Sequence, residues 1–221
     1  MKNIIVGIII SAATLLAPRI TQAQGTMTVL SNLNQTAGGS VAVGSDSWLA
    51  AAFETGTNFR GYVLNSIQLE MAAGSGNPSN FTVMIYNLQG GGIFPLSSIG
   101  TLNGSLNPVA GGVFTYTPAS SITLSRDTAY FIVLIAGTTV ANGAFEWDYV
   151  SAYSYNPNDG WNGSGEIISS SSDGAYWNTA SLGYAQYAIN VTDVPEPGVL
   201  GLSALGGLAF LWHHRKSKAV Q

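Results

Sequence analysis

The stretch Val63-Leu64-Asn65-Ser66-Ile67-Gln68-Leu69-Glu70-Met71 decides the fold class. Ile67, Leu69 and Met71 recur every second residue, with Gln68 and Glu70 between them. An extended chain therefore turns the apolar side chains to one face and the polar ones to the other. Phe81-Thr82-Val83-Met84-Ile85-Tyr86 repeats the pattern, with Phe81, Val83 and Ile85 on one side. Working outward, the same criterion predicts strands from Met27 to Leu30, Trp48 to Phe53, Val113 to Thr117, Tyr130 to Ala136, Phe145 to Tyr149 and Gln186 to Thr192. Between them lie Gly- and Asn-rich connections such as Gly74-Ser75-Gly76-Asn77-Pro78, Gln89-Gly90-Gly91-Gly92 and Asn156-Pro157-Asn158-Asp159-Gly160. Gly and Asn supply the positive φ of tight turns, and Pro fixes the other corner. No stretch of this body keeps a 3.6-residue apolar period for three turns. The expectation is an all-β, antiparallel, jelly-roll-like β-sandwich, with an up-and-down barrel as the alternative.

Composition narrows the chemistry. Of 221 residues only 8% are charged, and there is no Cys. All the Lys and both His sit at the ends of the chain, as Lys2, His213, His214, Lys216 and Lys218. Between Gln24 and Val194 the two arginines Arg60 and Arg126 face ten acids, a formal charge of −8. Nucleic acid is excluded as a partner, because phosphate neutralisation needs many Lys and Arg. Without His, Lys or Cys in the body, Ser-His-Asp and Cys-His nucleophiles, His- or Cys-ligated zinc and Schiff-base chemistry are excluded within one chain.

Both ends read as addresses. Met1-Lys2-Asn3 precedes an apolar run from Ile4 to Ala17, and Thr21-Gln22-Ala23 puts small residues where signal peptidase cuts. Residues 1–23 are expected to be a signal peptide. At the other end, Val194-Pro195-Glu196-Pro197 is followed by an apolar run from Gly198 to Trp212 and then by Arg215, Lys216 and Lys218. At 1.5 Å per residue, such a run makes a helix of roughly 22 Å, against a hydrocarbon core of about 30 Å. A short transmembrane helix is expected, with the basic cluster kept on the cytoplasmic side.

These residues resemble the PEP-CTERM sorting signal of Gram-negative bacteria. The resemblance implies that residues 194–218 are a removable tail. An exosortase would recognise Val194, Pro195, Glu196 and Pro197 and cut near them. The protein would be tethered to the inner membrane beforehand, then placed at the cell surface or in the extracellular matrix. A second resemblance covers Leu30-Ser31-Asn32-Leu33, Trp48 to Gly56, Gly61 to Leu69 and Phe81 to Tyr86. These are similar to the choice-of-anchor family R domain, an extracellular bacterial β-domain, and imply fold and location only. Residues 24–193 are the expected extracellular domain.

Three side-chain groups in that domain invite a function. Tyr155 and Trp161, with Asn158 and Asp159 in the turn between them, combine flat rings with amide and carboxylate groups, as a sugar-contacting loop does. Both rings are expected to be the most exposed of the region. Glu146 and Asp148, two apart on a strand, share a face and could pair as glycosidase acids; Glu166 and Asp173 are a second such pair. Asn158, Asp159, Glu166 and Asp173 also offer hard oxygens for calcium, the only cofactor in view. The expected role is a non-enzymatic surface or matrix component contacting exopolysaccharide or surface partners. A carbohydrate-active enzyme with paired carboxylates and a purely structural module are the alternatives.

Overall fold

The computed structural model describes residues 25–88, 93–153, 155–163, 166–170 and 173–194. The expected signal peptide and transmembrane helix, Pro195 to Pro197 and the basic cluster lie outside them. No helix among the described residues is long and apolar enough to cross a membrane.

The chain runs through β1 (Met27–Ser31), β2 (Gly39–Val43), β3 (Trp48–Glu54), β4 (Tyr62–Gly76), β5 (Thr82–Leu88), β6 (Pro95–Asn103) and β7 (Ala110–Pro118). It continues through β8 (Thr123–Leu124), β9 (Ala129–Ile135), β10 (Gly143–Val150), β11 (Asn156–Pro157), β12 (Glu166–Ser170), β13 (Asn178–Ala185) and β14 (Tyr187–Asp193). A 3₁₀ turn at Val140–Asn142 leads into β10. The all-β antiparallel class is as expected, and the structure adds β2, β6, β8, β11, β12 and β13 to the predicted strands.

The decisive stretch forms the longest strand, and it organises the rest. One edge of β4 carries β14 and then β10; the other carries β8 and then β7. From β7 the pairing passes through β6, β5, β9, β3, β12 and β13 to β10, which returns to β4. The strands thus form one continuously hydrogen-bonded antiparallel sheet whose pairing closes on itself. Because the strand order is not the sequence order, this is not an up-and-down barrel.

Alternation along β4 has a break, and the break is structural. Tyr62 and Leu64 are buried, then Ile67, Leu69 and Met71, a gap of three between Leu64 and Ile67. Opposite this gap the register of β14 shifts between Asn190 and Val191. The extra residue of a β-bulge restores both runs to the inner face. Asn65, left at the bulge, donates from Nδ2 to Thr26 Oγ1 at 2.9 Å and to Thr192 Oγ1 at 2.7 Å.

One large core fills the interior, built from Leu30, Phe53, Leu69, Phe81, Phe145, Trp147 and Tyr187 among others. A smaller one lies on the opposite face of β3 and β9, where Ala50, Phe131, Val133, Ile168 and Trp177 pack together. β9 is apolar on both faces for this reason: Tyr130, Ile132 and Leu134 enter the large core, while Phe131 and Val133 enter the small one.

Candidate functional site at the chain exit

The predicted sugar loop is built differently from the expectation. Trp161 is 2% exposed and Tyr155 6%, so neither ring offers a stacking face. The turn that carries them explains it. Asp159 and Gly160 take positive φ of 50° and 78°, and Trp161 N donates to Asn158 O at 3.0 Å. Asn158 is hooked to β1, its Nδ2 donating to Thr28 O at 3.0 Å. This tight turn throws Trp161 inward, where its ring lies 6.1 Å from Phe53 and 4.8 Å from Tyr62. Tyr155 donates its hydroxyl to Ala185 O at 2.7 Å, and burial pushes its pKa well up. Asn158 and Asp159 are exposed. The accessible rings of the region are Tyr153 and Tyr176, at 49% and 76%. Tyr153 stands on Tyr155 and Tyr184, each at 5.5 Å, and donates its hydroxyl to Asn162 Oδ1 at 2.9 Å.

Glu146 and Asp148 do share the outer face of β10, as their spacing predicts. Ser40 donates its hydroxyl to Glu146 Oε2 at 3.0 Å. Sequence reasoning missed the third acid, Glu70 on the neighbouring β4, because only the long-range pairing of β10 with β4 brings it close. Burial first, then the charges of Glu70 and Glu146, raise the Asp148 carboxyl to about 6.

The calcium ligands do not gather. Asp159 lines a cavity near Tyr62, Glu166 lines a different one with Phe131 and Ile168, and Asp173 lies in the turn before Gly174, beside Trp48. Among the described residues no group of three His, Asp or Glu side chains is arranged to hold a metal ion. The expected four-residue site is therefore not formed.

The most complete constellation surrounds the point where the chain leaves the domain. β14 stays paired to β4 as far as Asp193 opposite Tyr62, and Val194 N then donates to Gly61 O at 3.2 Å. The preceding loop is tightly tied. Asn58 N donates to the Tyr62 hydroxyl at 3.1 Å, Arg60 N to Asn58 Oδ1 at 3.1 Å and Gly61 N to Asn58 O at 2.9 Å. Gly61 has φ 78°, and a Cβ there would collide with Leu124 O. Glycine is required at this corner both for its backbone angle and for the close approach. The loop lifts Phe59 to 71% exposure, with the Arg126 guanidinium 5.0 Å above its ring. A cavity of about 540 Å³ opens between this loop and the end of β14, lined by Thr57, Asn58, Phe59, Tyr62, Asp159, Asp193 and Val194.

An exported protein sorted by exosortase is what the continuation of this exit indicates: residues 193–216 match the PEP-CTERM protein-sorting motif. The motif implies membrane-anchored sorting before processing. No curated protein matches the chain.

Proposed function

We propose that the protein is a non-enzymatic surface or matrix component. Its β-domain is exported with the help of residues 1–23, tethered through the tail and then separated from it by an exosortase. The observation that carries this reading is the position of the matched motif. It begins where β14 makes its last pairing, so a cut beyond Val194 removes no strand. The similarity of residues 30–136 to the choice-of-anchor family R domain supports an extracellular, jelly-roll-like body. Expression of the full chain in hosts with and without exosortase tests the reading by intact mass. A body lacking the tail is expected only where the enzyme is present, and Pro195→Ala with Pro197→Ala should abolish the difference. Equal masses in both hosts would remove the sorting reading.

Contact with exopolysaccharide is the finer part of the proposal. Tyr153 supports it, an exposed ring beside the Asn162 amide on a rigid aromatic stack. Tyr153→Ala is expected to weaken retention on the host's exopolysaccharide several-fold without changing the melting temperature by more than a few degrees. Unchanged retention would leave a purely structural module. The carbohydrate-active alternative rests on Glu146 and Asp148; glycan hydrolysis lost in Glu146→Gln would favour it.

A further inference from the structure

The charges of the body are unevenly placed along it. From Met71 to Ser125 the chain has no Asp, Glu, Lys, Arg or His. This run supplies the end of β4 and all of β5, β6, β7 and β8. Of the eight large apolar side chains exposed among the described residues, five come from it: Ile93, Leu96, Ile99, Leu106 and Val113. Val113 stands opposite Glu70 and Ile93 shares a cavity with Glu166, so each of these two has an acid for a neighbour. Leu96 and Ile99 lie on β6, whose partner strands β5 and β7 both belong to the uncharged run.

β6 is also an open edge. β5 covers one side of it, but on the other side β7 meets it only at Leu102 and Asn103, next to Ala119 N, which donates to Thr101 O at 2.9 Å. From Leu96 to Ile99 that second side pairs with no strand among the described residues. Proteins commonly guard such an edge with a charge, a Pro or a bulge. Here Pro95 and the shifted register opposite Tyr86 and Leu88 guard the start of the strand, and no charge guards the rest. We propose that this edge pairs with its own copy: two chains join β6 to β6, antiparallel about a two-fold axis near Ser97 and Ser98, and cover Leu96 and Ile99 between them. Charge selects this occupant. A body of formal charge −8 repels its copy wherever acids face each other, and β6 is where two copies meet without that penalty. An antiparallel pair of identical strands is self-complementary, each offering the other its unpaired N–H and C=O groups. Ser97 N is already taken by Asn87 Oδ1 at 3.0 Å, so the ladder is short. It buries less than the roughly 800 Å² per partner of a standard interface, which makes the dimer reversible. The inference does not rest on the sorting reading.

Sedimentation equilibrium of the full chain in a density-matched nonionic detergent provides the test. At about 100 μM the protein mass is expected to approach twice 23.0 kDa and to fall to 23.0 kDa on dilution. Leu96→Lys sets like charges across the axis and should weaken association about tenfold or more. Its melting transition should stay in place, because Leu96 is exposed. Added salt screens the acids and should tighten the wild-type dimer. A second measurement uses the absence of native Cys. Opposed Cα atoms of an antiparallel pair lie about 4.5–5.5 Å apart, within reach of a disulfide. Mild oxidation should therefore link chains carrying Ser98→Cys and leave unlinked those carrying Thr36→Cys, an exposed position between β1 and β2. A wild type that stays monomeric at the highest concentration would overturn the proposal; loss of exopolysaccharide retention in Leu96→Lys would then give the edge to that ligand. Equal linking of both Cys variants would overturn it too. So would a dimer indifferent to Leu96→Lys, which would put the contact on the tail or another face, and a dimer that salt dissolves, which would make the contact ionic.

Discussion

Asp148 shows how a single residue on the outer face sets a pH response. Its carboxyl is raised from 3.8 to about 6 by burial and by the neighbouring Glu70 and Glu146. Between those two values the folded chain holds a proton that the unfolded chain has released, so lowering the pH through about 6 towards 4 stabilises the fold. Above about 6 the ionised carboxylate opposes folding in full. Each pH unit between the two values is about 1.4 kcal/mol for a fully buried group, and solvent screening at this partly exposed one reduces the total to on the order of 1 kcal/mol. Asp148→Asn is expected to raise the melting temperature at pH 7.5 and to flatten its rise between pH 7 and 5, as read by thermal denaturation across pH. A wild-type melting temperature that falls over that range would contradict it. The pair Glu146 and Asp148 was legible from spacing alone. Glu70 was not, because its proximity depends on a register joining residues more than seventy positions apart. Trp161 was misread for a related reason: Asn-Pro-Asn-Asp-Gly correctly announces a turn, but not which way the turn directs the next side chain.

At the scale of elements, strands that line the large core announced themselves by alternation, and strands defined by their partners did not. β6 exposes Leu96, Ser97, Ser98 and Ile99 in succession, because beyond the short pairing of Leu102 and Asn103 with β7 little covers it. Its extended state comes from its ladder with β5. β13, Asn178–Ala185, carries polar residues and a Gly183 with φ 138°, and is held by a short, shifted register with β12 and by a short pairing with β10. Propensity is weak in both, and the neighbouring strand supplies what the local sequence lacks. β4 offers the sharpest test of register. Deleting Asn65 brings Leu64 and Ile67 to a spacing of two, so a regular strand keeps Tyr62, Leu64, Ile67, Leu69 and Met71 on the inner face without the bulge. What is lost is the pair of Asn65 side-chain hydrogen bonds to Thr26 and Thr192, about 0.5–1.5 kcal/mol each. The deletion is therefore expected to keep a cooperative melting transition and to lower its midpoint by several degrees. A deletion variant with no cooperative transition would show that the bulge itself is required for the register.

The whole molecule closes through its last strand. β14 pairs with β1 on one side and with β4 on the other, so the final described segment joins the first strand to the longest one. Tyr187, Ile189 and Val191 enter the core from it, and Tyr187 donates its hydroxyl to Ala52 O at 3.0 Å. Removing β14 would open two ladders and unroof the core at once. Removing the residues beyond Val194 would break neither of these ladders. A chain stopped after Val194 is therefore expected to melt within a few degrees of the full-length protein in the same detergent. One stopped after Ala185 should show no cooperative transition and should be digested rapidly by a nonspecific protease. Because most pairings join strands distant in sequence, folding cannot be completed until this segment is available, and refolding of the intact chain should be slow, on the order of milliseconds to seconds. If the chain stopped after Val194 lost its transition as well, the tail would be part of the fold. The separation between a self-supporting domain and a removable sorting segment would then fail.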